Sequence, residues 1–338
     1  MTQKIALIGF GTVGQGLVEI LQEKAAELHE RYGYQWKITG VCDNRFGTVC
    51  HAQGLDPRVL LKEAANGCLK THRLEGDVKQ FLDECDADVV VEMTYTNLSD
   101  GEPAVSHCRY ALEKGRHVVT SNKGPAALHF RNLSALAAKN RVRFLIEGTV
   151  MSGTPVLNLM DGPLQGCRVE SLRGILNGTT NYILTCMEDG MAYDDALAKA
   201  QELGYAEADP TGDVEGYDAR AKVAILANVV MGADLPIENV SCTGITAITP
   251  TDIETARKSG KRWKLIGAVE RNGNDVSASV KPEMVPLDHP LAGVSGATNA
   301  LTVVTDLLKD VSIVGPGAGR KETGFSILTD LLTIHRSS

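Results

Sequence analysis

The sequence of 338 residues has no cluster of lysine and arginine, and its formal net charge is −8. A nucleic-acid footprint needs clustered basic side chains, so no nucleic-acid partner is expected. No apolar stretch approaches the ~20 residues that a bilayer span requires, and no membrane association is expected. The N-terminal MTQKIALIGFG enters a strand-like run at once. It lacks the charged leader, apolar core and small-residue cleavage site of a secretory signal, so the expected location is the cytoplasm. Pairs of the CxxC type are missing too: the eight cysteines are scattered, as for reduced thiols and not for a disulfide framework or a zinc site. Repeats, low-complexity segments and long linkers are also absent. The chain is long enough for two cores.

What is present changes character halfway along. In the first half, short β-rich runs alternate with amphipathic segments. Lys4 to Gly9, Trp36 to Asp43, Asp88 to Thr94, His117 to Ser121 and Val142 to Ile146 read as strands. Val13 to Tyr32, Pro103 to Lys114 and Pro125 to Lys139 read as helices. That alternation predicts βαβ units and a parallel sheet. Beyond Gly148 the expected strands (Arg168 to Leu176, Trp263 to Glu270, Asp275 to Lys281, and two within Asn299 to Val314) follow one another without long crossover helices. Helices are expected near Tyr182 to Glu188, Tyr193 to Leu203 and Tyr217 to Met231. This half reads as α+β with an antiparallel or mixed sheet. The expected class is therefore α/β, with a Rossmann-type domain over 1–147 and an α+β substrate domain over 148–318. A C-terminal helix within 319–338 is expected to pack back on the first domain.

Gly9-Phe10-Gly11-Thr12-Val13-Gly14 is a G-x-G-x-x-G placed directly after a strand and opening a helix. The glycines permit a tight turn, close approach of a pyrophosphate and close helix packing. The helix N-terminus offers unpaired N–H groups to the phosphate. Asp43 ends the second strand, where a carboxylate binds ribose hydroxyls and favours NAD, but Arg45 could meet the 2′-phosphate of NADP. The residues leave both cofactors open. Asp43 also has a plainer reading, as a turn former.

Four carboxylates, Glu207, Asp209, Asp213 and Glu215, precede a helical stretch holding Asp218 and Lys222. At about 100° per residue, Asp218 and Lys222 continue the arc of Ile225 and Val229. A solvated i, i+4 ion pair would lie opposite that apolar stripe. A pair on it points to a site. Asn177 to Tyr182 suits a helix start. Thr120 to Gly124 lies at the C-terminal end of a strand, the ligand-binding edge of open α/β sheets. Gly315-Pro316-Gly317-Ala318-Gly319 could bring backbone close to a flat ring, or simply connect two elements.

Together these segments resemble the homoserine dehydrogenase family: GFGTVGQG at Gly9 to Gly16, TSNKG at Thr120 to Gly124, LNGTTNYIL at Leu176 to Leu184, LGYAEADPTGDVEGYDARAK at Leu203 to Lys222, and GPGAG at Gly315 to Gly319. They run in family order along the whole chain. The resemblance implies reversible, NAD- or NADP-dependent interconversion of L-homoserine and L-aspartate 4-semialdehyde, in threonine and methionine biosynthesis, by a homodimer. It implies Lys222 as the acid–base, with Asp218 as its orienting partner and Lys123 as a second active-site lysine. A lysine can act as a base where burial or a neighbouring cation lowers its pKa. Lys123 could be that cation or could bind the substrate carboxylate. Glu207 and Asp213 match carboxylates that hold the substrate ammonium, with Thr179 and Tyr205 among the substrate contacts. The cofactor set is Gly9, Gly11, Thr12, Val13, Gly14, Asp43, Arg45, Thr94, Ser121, Gly317 and Gly319. A monovalent cation, Na+ or K+, is implied at Glu147, Val150, Ser152 and Thr154, although Met151 and Ser152 depart from the family's glycine-richer stretch. The family's C-terminal regulatory domain and an aspartate-kinase segment have no counterpart, so a monofunctional enzyme without threonine feedback through that domain is expected.

Two rival readings remain in view. A semialdehyde-oxidising enzyme would need a nucleophilic cysteine beside a base, and no cysteine here lies in such a motif. A non-catalytic cofactor sensor would need the glycine loop but neither Lys222 nor the acidic loop.

Overall fold

A computed structural model describes residues 2–337. The chain forms two compact units, one running to Gly153 and resuming at Gly319, the other spanning Thr154–Ala318.

The first unit is built on a six-stranded sheet: β1 (Thr2–Ile8), β2 (Gln35–Asp43), β3 (Gly47–Cys50), β4 (Val89–Glu92), β5 (His117–Thr120) and β6 (Phe144–Leu145), in the order β3-β2-β1-β4-β5-β6. All neighbours are parallel except β2 and β3. The central strands are buried on both faces, with Ile5, Leu7, Val89, Val90 and Val91 inaccessible. This is why they read as unbroken apolar runs. Strand order reverses between β1 and β4, which opens the crevice at their C-terminal ends where nucleotides bind in such folds.

The helices of this unit are α1 (Thr12–Glu23), α2 (Ala25–Tyr32), α3 (Pro57–Ala65), α4 (Val78–Glu84), α5 (Ala104–Glu113), α6 (Lys123–Leu128) and α7 (Phe130–Lys139). Two of the expected helices are thus broken, at Lys24 and His129, which flank two helices each. β3, α3 and α4 were not anticipated. The C-terminal helix, Arg320–Arg336, packs along α1: Arg320 Nη2 and Nε donate to the Glu19 carboxylate at 2.6 and 3.1 Å. Its buried Asp330 accepts from the backbone N–H of Glu147 at 3.0 Å.

The second unit carries a mixed sheet of β7 (Val169–Ile175), β8 (Ser241–Cys242), β9 (Lys261–Asn272), β10 (Asp275–Pro286), β11 (Thr298–Thr305) and β12 (Lys309–Pro316). The order is β12-β11-β7-β9-β10-β8, antiparallel except where β8 joins β10. Its helices are α8 (Leu157–Asp161), α9 (Gly178–Glu188), α10 (Tyr193–Glu202), α11 (Thr211–Val214), α12 (Tyr217–Val230) and α13 (Pro250–Lys258). α9, α12 and α13 pack on the sheet. The antiparallel hairpins need only short turns between strands, the sequence feature that set this half apart.

Candidate active site

In the first unit the glycine segment lies at the crevice. Gly9 takes φ +92°, and a Cβ there would lie 2.6 Å from the carbonyl oxygen of Met93. No other residue fits that turn. At Gly11, by contrast, a Cβ would meet no atom within 4 Å. The residue opens α1 with no side chain capping the first turn, so those N–H groups face open space suited to an anion. Thr12 and Val13 form the first turn, and Gly14 is buried beneath it.

Asp43 ends β2 next to this turn. One carboxylate oxygen accepts from Phe10 N at 2.6 Å, and the other from Arg45 N at 2.8 Å and Phe46 N at 3.0 Å. The turn-forming reading of Asp43 holds: it builds the turn into β3, and its carboxylate lies beside the glycine loop. The Arg45 guanidinium lies over the Phe46 ring, 5.1 Å from its centroid.

At the ends of β4 and β5, Thr94 donates through its N–H and its hydroxyl to Glu92, which is wholly buried. The Thr120 hydroxyl donates to the Glu92 carbonyl at 2.8 Å. Asn122 donates to the Thr94 and Tyr95 carbonyls and caps α6 through Gly124 N. Lys123 is the first residue of α6, directly after that cap, and Ser121 packs against Gly148. Glu92 and Asn122 did not stand out in the sequence. The signal for Glu92 was an acid closing a run of three buried valines.

The second unit gathers a lysine and two carboxylates around one asparagine. Lys222 Nζ, 7% exposed, donates to Asp218 Oδ2 and to the Leu176 carbonyl, each at 2.7 Å. Asn177 Nδ2 donates to the same Asp218 oxygen at 2.9 Å and to Asp213 Oδ1 at 2.7 Å, while Asn177 Oδ1 caps α9 by accepting from Thr180 N. The cap reading of Asn177 is correct but incomplete, since one side chain starts the helix and joins both acids. Burial pushes the Asp213 carboxyl above the ordinary aspartate range, and the charge of Asp218 adds to it against the hydrogen bond from Asn177.

α12 is buried on every side from Ala221 to Ala227. The apolar arc inferred from Ile225 and Val229 is therefore part of a helix with no solvent face in this stretch, and a charge pair here needs its partners all the more. The Thr179 hydroxyl donates to the Tyr205 carbonyl at 2.7 Å, and the Tyr205 ring, half exposed, lies 5.0 Å from that of Tyr182. Glu207 is exposed, and its backbone carbonyl accepts from Gln201 Nε2 at 3.0 Å. Gly315 lies near the end of β12, Gly317 in the loop that follows it, and Gly319 (φ +139°) precedes the C-terminal helix.

Along 147–154, Glu147 and Val150 are buried, and Met151 and Ser152 take consecutive left-handed conformations, φ +57° and +53°. The Ser152 hydroxyl is paired with that of Thr323 at 2.7 Å. In the second unit, the Thr154 hydroxyl donates to the Pro316 carbonyl at 3.0 Å. Among the described residues no group of three His, Cys, Asp or Glu could hold a metal ion. None of the described helices is long and apolar enough to cross a membrane.

A dinucleotide crevice in one unit and a buried lysine–carboxylate cluster in the other define an NAD(P)-dependent oxidoreductase. Comparison with known proteins narrows the class. Residues 9–147 match the family model "Homoserine dehydrogenase, NAD binding domain" and residues 155–332 the model "Homoserine dehydrogenase". The NAD(+)-dependent homoserine dehydrogenase of Pseudomonas canavaninivorans is 48% identical over 99% of this chain and 97% of its own length. A putative homoserine dehydrogenase from Archaeoglobus fulgidus superposes with a TM-score of 0.88 at 39% identity, covering 98% of this chain and 99% of that one. A hyperthermophilic archaeal homoserine dehydrogenase solved in complex with NADPH superposes with a TM-score of 0.85 at 29% identity, covering 100% and 99%. The chain belongs to the homoserine dehydrogenase family.

Proposed function

We propose that the chain oxidises L-homoserine to L-aspartate 4-semialdehyde and reduces it back, with Lys222 moving the hydroxyl proton. The observation that carries the proposal is the pair of 2.7 Å bonds from Lys222 Nζ to Asp218 and to the Leu176 carbonyl. A neutral amine has two N–H donors and one lone pair. Those two acceptors take both donors, which leaves the lone pair for the substrate hydroxyl. In the reverse direction the third N–H of the ammonium is available to the aldehyde oxygen. Asp218 thus orients Lys222, and Asn177 in turn holds Asp218. Asp213, with Thr179, Tyr205 and the exposed Glu207, is proposed to receive the amino-acid end of the substrate. Lys123 is proposed as the second lysine meeting the substrate.

The nicotinamide cofactor, when bound, accepts the hydride from the alcohol carbon or returns it. Gly9, Gly11, Thr12, Val13 and Gly14 would hold its pyrophosphate, with Thr94, Ser121, Gly317 and Gly319 as further contacts. The open space at Gly11 and the uncapped start of α1 fit this role. NAD is proposed as the preferred form. The Asp43 carboxylate, fixed beside the glycine loop by three backbone N–H groups, opposes a 2′-phosphate, and Arg45 is engaged with Phe46. A Na+ or K+ ion is proposed at the buried Glu147 with the backbone carbonyls of Val150 and Ser152. The two left-handed residues there curve the chain as a carbonyl cradle requires.

The test is the 340 nm absorbance change with L-homoserine and either NAD+ or NADP+, with and without alkali cation. The expected result is homoserine-dependent reduction, faster with NAD+ and raised by the cation. No turnover in either direction would remove the assignment. A higher kcat/KM with NADP+ would overturn the role given to Asp43, and indifference to the cation would remove the ion.

The protein is further proposed to work in the cytoplasm as a homodimer. Val314, Leu307 and Leu308 leave more than half their surface exposed around β12, an apolar edge suited to a second copy. Sedimentation should give twice the 36.2 kDa chain mass; the chain mass itself would remove the dimer.

A further inference from the structure

Asn299 lies on β11, paired in register with Gly315 of β12. It is fully buried, and neither its Nδ2 nor its Oδ1 has a hydrogen-bond partner among the described residues. A buried amide without partners is destabilising and calls for an explanation. Two glycines press against this one. A Cβ on Gly317 would lie 2.2 Å from the Asn299 Cγ and Nδ2, and a Cβ on Gly178 would lie 3.4 Å from its Oδ1. Gly178 follows Asn177, whose side chain joins Asp213 and Asp218. Gly317 belongs to the glycine-rich loop after β12. The amide therefore sits between the lysine–carboxylate turn and that loop.

The neighbouring contact is different. A Cβ on Gly315 would press on Thr154, but the Thr154 hydroxyl is satisfied by the Pro316 carbonyl. The Asn299 contact, by contrast, sets a donor and an acceptor without partners among the described residues directly against the Gly317 backbone.

We infer that Asn299 is a positioning residue for cofactor binding: its amide takes hold of the Gly317–Ala318 backbone when the nicotinamide cofactor seats that loop. Its Oδ1 accepts a loop N–H, and its Nδ2 donates to a loop carbonyl. The loop is thereby tied to the Asn177 turn, so that the hydrogen-bonded cluster around Lys222 and the loop keep one spacing. The inference rests on the proposed reading of the loop as a cofactor contact.

Asn299→Leu keeps the forked shape and removes both polar atoms, and Asn299→Ala removes them without added bulk. Three quantities are measured for each variant and for wild type: the Tm of the cofactor-free protein, the Kd of NADH by fluorescence, and amide exchange across 315–319 with and without NADH. The expected result is a Tm for Asn299→Leu at or above wild type, since a buried unpaired amide is gone. NADH affinity is expected to weaken about tenfold in both variants, and the exchange protection that NADH confers on the wild-type loop should be lost. If Asn299→Leu does not fold, Asn299→Ala carries the same test. Equal NADH affinity and equal loop protection in wild type and variants would show a packing residue and overturn the inference while leaving the loop reading intact. If NADH does not protect the wild-type loop, the loop reading fails and the inference falls with it.

Discussion

Replacing Lys222 by alanine is expected to lower kcat/KM for homoserine by at least about a hundredfold, the scale of lost acid–base catalysis, while NADH binding stays near its wild-type strength. The split follows from where the residues lie. The glycine loop and Asp43 are in the first unit, held by contacts within it, and Lys222 is bonded to Leu176 and Asp218 of the second. Stability should fall by several degrees and not collapse. Removing one partner of a mostly buried pair strands the other, but Asp218 keeps the bond from Asn177 Nδ2 at 2.9 Å. Parallel measurement of steady-state rates, NADH affinity and Tm separates these effects. If NADH affinity fell as steeply as the rate, the loss would be one of general structure and not of proton transfer.

Gly11→Val is expected to give the converse pattern. A Cβ at Gly11 meets no neighbouring side chain or remote backbone within 4 Å, and the residue's φ of −73° is outside the left-handed region that favours glycine. The Tm should therefore hold, as for other surface substitutions worth within about 0.5 kcal/mol. The isopropyl group would fill the space over the first turn of α1 where the pyrophosphate has to approach the backbone, so NADH affinity should drop on the order of a hundredfold. A fluorescence titration and a melting curve on the same preparation check both halves. Wild-type affinity in a stable Gly11→Val protein would remove the glycine loop as the phosphate site.

Much of this was legible in the amino-acid order because a strong local cause coincided with the tertiary one. Buried parallel strands must be apolar on both faces, so Val89 to Val91 announced β4. The Gly9 segment announced the crevice because only glycine fits a turn that close to Met93. The Asp218–Lys222 pair was visible as charge out of place among apolar residues, although the reason is a helix buried all round and not a single stripe.

What escaped notice depended on weaker or non-local signals. α3 and α4 are short, but each starts at an aspartate that caps it: Asp56 accepts from Arg58 N and Asp77 from Gln80 N, both at 2.8 Å. Those caps were readable in the sequence. The breaks at Lys24 and His129 carry no proline or glycine and could not be read from local propensity. Asn177, Glu92 and Asn299 owe their importance to partners far along the chain. Asn177 meets Asp213 and Asp218, Glu92 meets Thr120, and Asn299 lies against Gly178 and Gly317. No spacing rule joins such residues.

The most direct test of Lys222 as the acid–base is rescue of Lys222→Ala by a small amine. The measurement is the rate of homoserine-dependent absorbance increase at 340 nm as methylamine is added. The account predicts almost no rate without amine and a rate that climbs with amine concentration, because the proton acceptor has been returned from solution. Wild-type turnover by Lys222→Ala with no amine present would contradict it.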